Sequence, residues 1–281
     1  MPEGDTIHRA ARTLDTALRG QRIERFESVL AQLNRVDADA PIAGRLVERV
    51  EARGKHVLMW LSAPSPVQSG ASLVLRTHMR MHGSWHIYRP GERWQRPRHE
   101  MRIVLATAPY VAVAFTVPVA EFVEAAAIER GGPVAELGPD LLSDTFDAAE
   151  AVARLQARGD LEIADALLDQ RAVAGIGNVF KSEILFAARV SPFTRVQALD
   201  ATTLARIVAI AVRQLRANVG EAGAAAGGRT TTNRLDPSAR LWVYSRRGLP
   251  CRRCGTPIQR ATQGPDTRST YWCERCQPGA R

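Results

Sequence analysis

The sequence predicts an α+β protein: an N-terminal β-sandwich domain opened by a helix, then a helical domain ending in a four-cysteine hairpin. Three observations carry this. Segments 22–30, 45–62, 72–89 and 101–124 are rich in Val, Ile, Leu, Trp and Tyr, with breaks such as Ala63-Pro64-Ser65-Pro66, as short antiparallel strands require. After Gly131-Gly132-Pro133 the apolar period becomes helical, over 147–158, 161–169, 178–188 and 200–217. All four cysteines fall in the last 31 residues, as Cys251-x2-Cys254 and Cys273-x2-Cys276. The expected organisation is a sandwich over 1–125, a linker over 126–140, a helical domain over 141–239 and a cysteine module over 240–281.

The first element is a helix capped by Asp5 or Thr6, with Ile7, Ala10, Ala11, Leu14 and Leu18 as its apolar stripe and Gly20 as its end. Residue 2 is proline, small enough to permit removal of the initiator methionine. The amine so released would sit at the positive end of a helix dipole, which disfavours its protonated form and makes it more nucleophilic. Glu3 stands beside it as an acid or base. Taken alone, a proline at position 2 is more often a plain N-terminal residue.

Lysine usage adds to the pattern. Of 38 basic residues only Lys55 and Lys181 are lysine. An ammonium can transfer a proton and a guanidinium cannot, so a lysine kept in an arginine-biased chain is a candidate for chemistry. Lys55 lies in Arg53-Gly54-Lys55-His56, a turn entering the strand Val57–Leu61. Lys181 lies just inside a helix.

Residues 163–188 read as a helix, a glycine-rich double turn and a second helix. Gly175 and Gly177 let the backbone approach a ligand closely, Asn178 caps the second helix, and the N–H groups at that end offer an anion seat, with Lys181 adding charge. A purely structural helical hairpin is the competing reading. The Gly/Ala/Thr-rich stretch 220–233 reads as a mobile loop.

The two C-x2-C hooks, 18 residues apart, can be pinned by one tetrahedral zinc. All six histidines lie at or before His99, so the ligand set is four thiolates. Two disulfides are the alternative; they belong to secreted proteins, whereas the polar, acidic start Met-Pro-Glu-Gly-Asp resembles no export signal. Between the hooks, Gln263-Gly264-Pro265-Asp266 forms a hairpin tip and 268–272 the returning strand, which puts Arg268 near the end of a rigid finger. From Arg240 to Arg281 there are nine arginines against two acids, a net of +7 out of +9 for the whole chain, which points to a polyanionic partner. No apolar run approaches membrane-spanning length. A bacterial cytoplasm, where thiolates stay reduced, is the expected location.

Met1-Pro2-Glu3-Gly4, Arg53-Gly54-Lys55-His56, Gln170-x4-Gly175-x-Gly177-Asn178-x4-Glu183 and the four-cysteine ribbon with Arg268 occur in this order over nearly the whole chain. In this the chain resembles the formamidopyrimidine-DNA glycosylase/endonuclease VIII family of base-excision repair enzymes. The opening Pro-Glu-Gly, in place of Pro-Glu-Leu-Pro-Glu, is similar to the endonuclease VIII branch, particularly an actinobacterial-like subgroup.

The resemblance implies a glycosylase and AP lyase acting as a monomer on double-stranded DNA with damaged bases or abasic sites. It implies Pro2 as nucleophile, Glu3 and Lys55 as proton-transfer residues, and one structural zinc on Cys251, Cys254, Cys273 and Cys276. Asn178 and Arg268 would clamp the flanking phosphates. The family's void-filling loop falls on Arg80, Met81 and His82, with Met81 as the wedge; a core position for Met81 is the competing reading. Three departures bear on the lesion. Thr6 replaces a usual glutamate, Val117–Phe122 carries no arginine where the purine-specific branch has one, and 220–233 differs from that branch's lesion-covering loop. Oxidised pyrimidines are therefore expected over 8-oxoguanine. The rival readings are an 8-oxoguanine glycosylase of the same fold and a non-catalytic binder of damaged DNA.

Overall fold

The computed structural model describes residues 2–63, 71–220, 228–232, 234 and 236–279. Met1, the Pro64–Pro66 break and most of the glycine-rich stretch 220–233 lie outside the described residues. The chain divides into two compact units, Met1–Glu136 and Leu137–Arg281.

The first unit begins with α1 (Gly4–Leu18), then β1 (Arg25–Ser28), α2 (Ala31–Asp39), β2 (Val47–Arg53), β3 (His56–Leu61), β4 (Leu73–His78), β5 (Ser84–Tyr88), β6 (Met101–Ala106), β7 (Val111–Phe115) and β8 (Val119–Glu124). Two four-stranded antiparallel sheets result, ordered β1-β6-β7-β5 and β2-β3-β4-β8. Strand alternation explains the layering. Val57, Met59 and Leu61 of β3 turn into the core shared with Leu75, Ile103, Leu105 and the α1 stripe Ile7, Leu14 and Leu18. Leu58 and Trp60 face the other way, where Val74, Ile128 and Val134 cover them. The expected linker thus contains a short helix, α3 (Gly132–Ala135), because the outer face of the sheet needs an apolar lid. Tyr88, Met101, Val104, Val113 and Phe115 form the outer cluster of the other sheet, closed by Trp94. The segment 31–39 is helical although its sequence shows little stripe, since Leu33 is its one buried residue.

The second unit contains α4 (Ala148–Gln156), α5 (Ile163–Ala166), α6 (Asn178–Ala188), α7 (Ala201–Val219) and the hairpin β9 (Gln259–Gln263) and β10 (Arg268–Trp272). The helix expected over 161–169 is confined to one turn, after which the chain closes in turn hydrogen bonds ending at Asp169, whose carboxylate accepts from Arg158 Nε at 2.7 Å. Every residue of α6 except Ala187 is buried. Phe180, Ile184 and Leu185 enter the helical core, while Phe186 packs with Val243, Ile258, Cys251 and Cys273.

Candidate active site and nucleic-acid interface

Helix α1 begins two or three residues earlier than the sequence suggests. Glu3, not Asp5 or Thr6, occupies the N-cap position, and its carbonyl accepts from Ile7 N at 3.0 Å. Asp5 lies buried inside the first turn, where the Thr6 hydroxyl donates to it at 3.3 Å. Glu3 is fully buried and Pro2 half-buried. Pro2 therefore stands directly before the positive end of a 15-residue helix, beside a carboxylate removed from water. Asp15 fixes the helix to the sheet by accepting Val50 N at 2.7 Å.

Lys55 sits in the two-residue turn between β2 and β3, where Arg53 pairs with His56. Gly54 takes φ +56°, the first position of a turn that favours glycine. Next along the sheet, His56 and His78 meet edge to face at 4.9 Å. Arg76 Nη1 lies 3.0 Å from His56 Nδ1, and Arg80 N donates to His78 Nδ1 at 3.1 Å. A guanidinium and an amide only donate, so both rings accept at Nδ1 and are neutral.

Burial first, then His78 and Arg76, pushes His56 down to about 3. Burial with Arg80 and Lys55 takes His78 to about 4. An unfolded histidine takes up its proton near pH 6.5, so folding is fully favoured above that pH and loses stability as pH falls toward 3. For His56, which is 8% exposed, the loss between pH 6.5 and 5 is about 2 kcal/mol. Chemical denaturation at pH 7 and pH 5 should show it, and His56→Asn should reduce the difference to the part that His78 contributes. A wild-type midpoint unchanged between the two would contradict this.

The turn Met79–Gly83 joins β4 to β5. Met79 is buried at 2% exposure while Met81 stands out at 49%, so Met81 is not a core residue. Arg80 is left-handed at φ +51°, and Arg80 and His82 are exposed. Gly83 N closes the turn on Met79 O at 2.9 Å, and a Cβ there would meet that oxygen at 2.5 Å. The turn is thus a fixed mount for a protruding thioether.

In the second unit, Gln170 holds the double turn with one amide. Its Nε2 donates to Leu168 O and Ile176 O, and its Oε1 accepts from Gly175 N. Gly175 takes φ +104°. Gly177 occupies the N-cap of α6, so Asn178 is the first helical residue and not the cap. Asn178 is 7% exposed with Oδ1 unpartnered among the described residues, an arrangement costly unless a ligand uses the amide.

Lys181 departs from expectation. Its side chain is fully buried and Nζ donates to Thr270 Oγ1 at 2.8 Å and Ser269 O at 3.4 Å. At the fourth position of α6 it points into β10. Thr270 in turn donates to Gln263 Oε1 at 2.7 Å, and Gln263 Nε2 donates to Glu162 and to Pro192 O. Glu183, known from sequence only as a motif position, is fully buried and accepts Trp242 N, Val243 N and Tyr244 N at 2.8–2.9 Å. It fixes the segment entering the first cysteine hook. Acceptance of successive backbone amides 60 residues away leaves no local sequence signal.

Arg268 opens β10 beside the tip, half exposed, with Nη2 3.4 Å from Asp266. The four cysteine sulfurs lie within 4.8 Å of one another, with Cys254–Cys273 at 3.4 Å and Cys251–Cys276 at 3.9 Å. None is in a disulfide. Zinc–sulfur bonds of about 2.3 Å in a tetrahedron need sulfurs about 3.8 Å apart, so the set fits a structural zinc.

The formamidopyrimidine-DNA glycosylase N-terminal domain matches residues 1–118, and that enzyme's H2TH domain matches 137–230. The chain belongs to the formamidopyrimidine-DNA glycosylase/endonuclease VIII family. A zinc finger found in FPG and IleRS matches 248–279. "Probable endonuclease 8 2" of Streptomyces coelicolor is 40% identical, over 99% of this chain and 95% of the relative. The "DNA-(apurinic or apyrimidinic site) lyase Nei2" of Mycolicibacterium smegmatis is 36% identical, over 99% of each. The Lactococcus lactis enzyme Fpg, solved non-covalently bound to AP-site DNA, superposes with a TM-score of 0.80 at 20% identity, over 99% of this chain and 100% of that one. Membership places the chain among the DNA glycosylases and AP lyases of base-excision repair. No helix among the described residues is long and apolar enough to cross a membrane.

Proposed function

We propose that the chain removes oxidised pyrimidines from duplex DNA and then cleaves the strand by β,δ-elimination, with Pro2 as the nucleophile. The observation that carries this reading is Pro2 at the positive end of α1 beside the buried carboxylate of Glu3. Pro2 N attacks C1′ of an extruded nucleotide, the glycosidic C–N bond breaks, and the base leaves with a proton. Glu3 protonates the sugar ring oxygen, and the open sugar is held as an iminium. That cation acidifies C2′, so a proton is lost there and the C3′–O bond breaks; a second elimination breaks C5′–O. Lys55 binds phosphate and assists the proton transfers. Asn178 and Arg268 grip the flanking phosphates, Met81 fills the vacated stack between Arg80 and His82, and one zinc holds the hairpin. The chain acts as a monomer in the bacterial cytoplasm.

The pyrimidine preference is supported by the stretch 117–122. Val117 is buried, and Val119–Phe122 belong to β8, paired residue by residue with β4. Arg76 Nε donates to Glu121 at 2.7 Å, and Phe122 packs on Phe26. No arginine wedge is available there. Release of thymine glycol or 5-hydroxycytosine should outpace release of 8-oxoguanine opposite cytosine in single-turnover assays; faster purine release would reverse the assignment.

A further inference from the structure

The outer face of the β1-β6-β7-β5 sheet carries a second basic feature, separate from Pro2, Lys55 and the Met81 turn. Residues 89–98 fold over it and, with Arg25 and Val111, enclose a cleft of about 650 Å³. Arg25, Arg89, Arg93, Arg96 and Arg98 line it against a single acid, Glu92. Glu92 is occupied by the backbone N–H of Arg89 at 2.8 Å. Arg25 pairs with Glu27, and Arg96 with Glu100 at 2.5 Å. Arg89, Arg93 and Arg98 are exposed and have no carboxylate partner among the described residues.

The segment is held in shape before any ligand arrives. Trp94 packs edge-on against Phe115 at 5.5 Å and stacks on Tyr88 at 6.4 Å, with Arg98 over its ring at 5.7 Å. Gln95 N donates to the Tyr88 hydroxyl at 3.1 Å. Like charges gathered on a rigid support repel one another, a cost recovered when a polyanion is present. Arg96 links the cleft to the turn on which the DNA-binding reading rests. Its Nη1 donates to His82 O at 3.1 Å and Ser84 Oγ at 2.9 Å, and its Nη2 to Thr116 Oγ1 at 3.1 Å. One guanidinium therefore ties the cleft to the turn that presents Met81.

We infer that this cleft is an accessory DNA-backbone site, in which Arg89, Arg93 and Arg98 take phosphates of the duplex flanking the lesion. The inference rests on the proposed action on damaged DNA. Guanidiniums donate bidentately to phosphate oxygens, and phosphate contacts carry no sequence information, so the site adds affinity independent of sequence.

The test uses the full chain and a duplex carrying tetrahydrofuran as an uncleavable abasic analogue, in a long form and in a short form ending within a few base pairs of the lesion. With three phosphate contacts removed, the Arg89→Ala/Arg93→Ala/Arg98→Ala variant should lose about 2.7 from the slope of log affinity against log salt on the long duplex. Its affinity gap to wild type should accordingly narrow roughly fortyfold between about 50 and about 200 mM salt. On the short duplex the two proteins should bind alike, and borohydride trapping on short abasic DNA should be equal. The matching lysine variant should keep the wild-type slope, and Arg89→Ala/Arg93→Ala, which leaves the Arg98–Trp94 contact, should show two thirds of the triple variant's slope loss. An unchanged slope on the long duplex overturns the inference, as does an equal loss on both duplexes or a loss that persists with lysine. If wild type binds normally in those cases, only the accessory site falls. If wild type neither binds nor traps abasic DNA, the proposed function falls and takes the site with it.

Discussion

Acylating the nitrogen of Pro2, by retaining Met1 or adding residues upstream, is expected to abolish borohydride trapping on abasic-site DNA. The lone pair of an amide nitrogen is delocalised into its carbonyl, and an amide cannot form the iminium that borohydride reduces. The rate of adduct formation should fall at least about 10³-fold, equivalent to about 4 kcal/mol of barrier. Binding of the uncleavable analogue should change far less, because the phosphate contacts assigned to Lys55, Asn178 and Arg268 are untouched. The result is unusually clean in this chain because substitute amines are scarce. Of the two lysines, Lys181 is fully buried against Thr270, which leaves Lys55 as the remaining side-chain amine. Mass spectrometry of the reduced complex should place the sugar on the N-terminal peptide. An adduct on the Lys55 peptide, or undiminished trapping by the acylated chain, would remove Pro2 from the reaction. A chain that binds abasic DNA tightly and never traps it would be a non-catalytic binder.

What could be read from the sequence was whatever repeats over short distances. The bounds of α6, the strand β3 and the C-x2-C hooks depend on spacing within a dozen residues, and the structure places them where the spacing does. The same holds for Gly54, whose positive φ is set by a two-residue turn. Polar side chains behaved differently. Lys181 reads as a surface charge beside an anion seat, yet burial against a strand 88 or 89 residues away makes it a structural donor. Glu183 has the same character, with its acceptors' partners at 242–244. Asp5 and Thr6 are good caps by type, yet the helix starts at Gly4 with Glu3 as its cap and Asp5 buried in its first turn. Helix α2 leaves no sequence signal because one buried leucine makes no stripe. Arg96 is the further case: its three hydrogen bonds join segments 82–84 and 116, and nothing in a row of arginines distinguishes it from its neighbours.

Removing the metal should act on the other end of the chain, and nearly as strongly. The hairpin β9–β10 has two strands, which in water is marginal without support. Its buried apolar backing is Phe186, Val243 and Ile258 with two of the cysteines themselves, flanked by Trp242 and Tyr271, while Trp272 packs on Phe193. The polar anchors among the described residues include Lys181 to Thr270, Gln263 to Glu162 and Pro192 O, Gln277 to Val190 O, and Glu183 to the amides of 242–244. A hydrogen bond to a charged group contributes about 1.5–3 kcal/mol, whereas zinc bound by four thiolates supplies about 10–16 kcal/mol in isolated finger peptides. No single anchor approaches that contribution. Chelation, or Cys254→Ser, should therefore disorder Arg268 and the arginines around it, and lower affinity for abasic-analogue DNA by about 10²-fold near physiological salt. The thermal transition of the first unit should survive, since its core is built from its own residues. Zinc released by thiol modification should equal one ion per chain. The decisive comparison is salt dependence. The metal-free chain should show a shallower slope than the loaded one, because phosphate contacts have gone; equal slopes and equal affinity would mean that the ribbon carries no part of DNA binding.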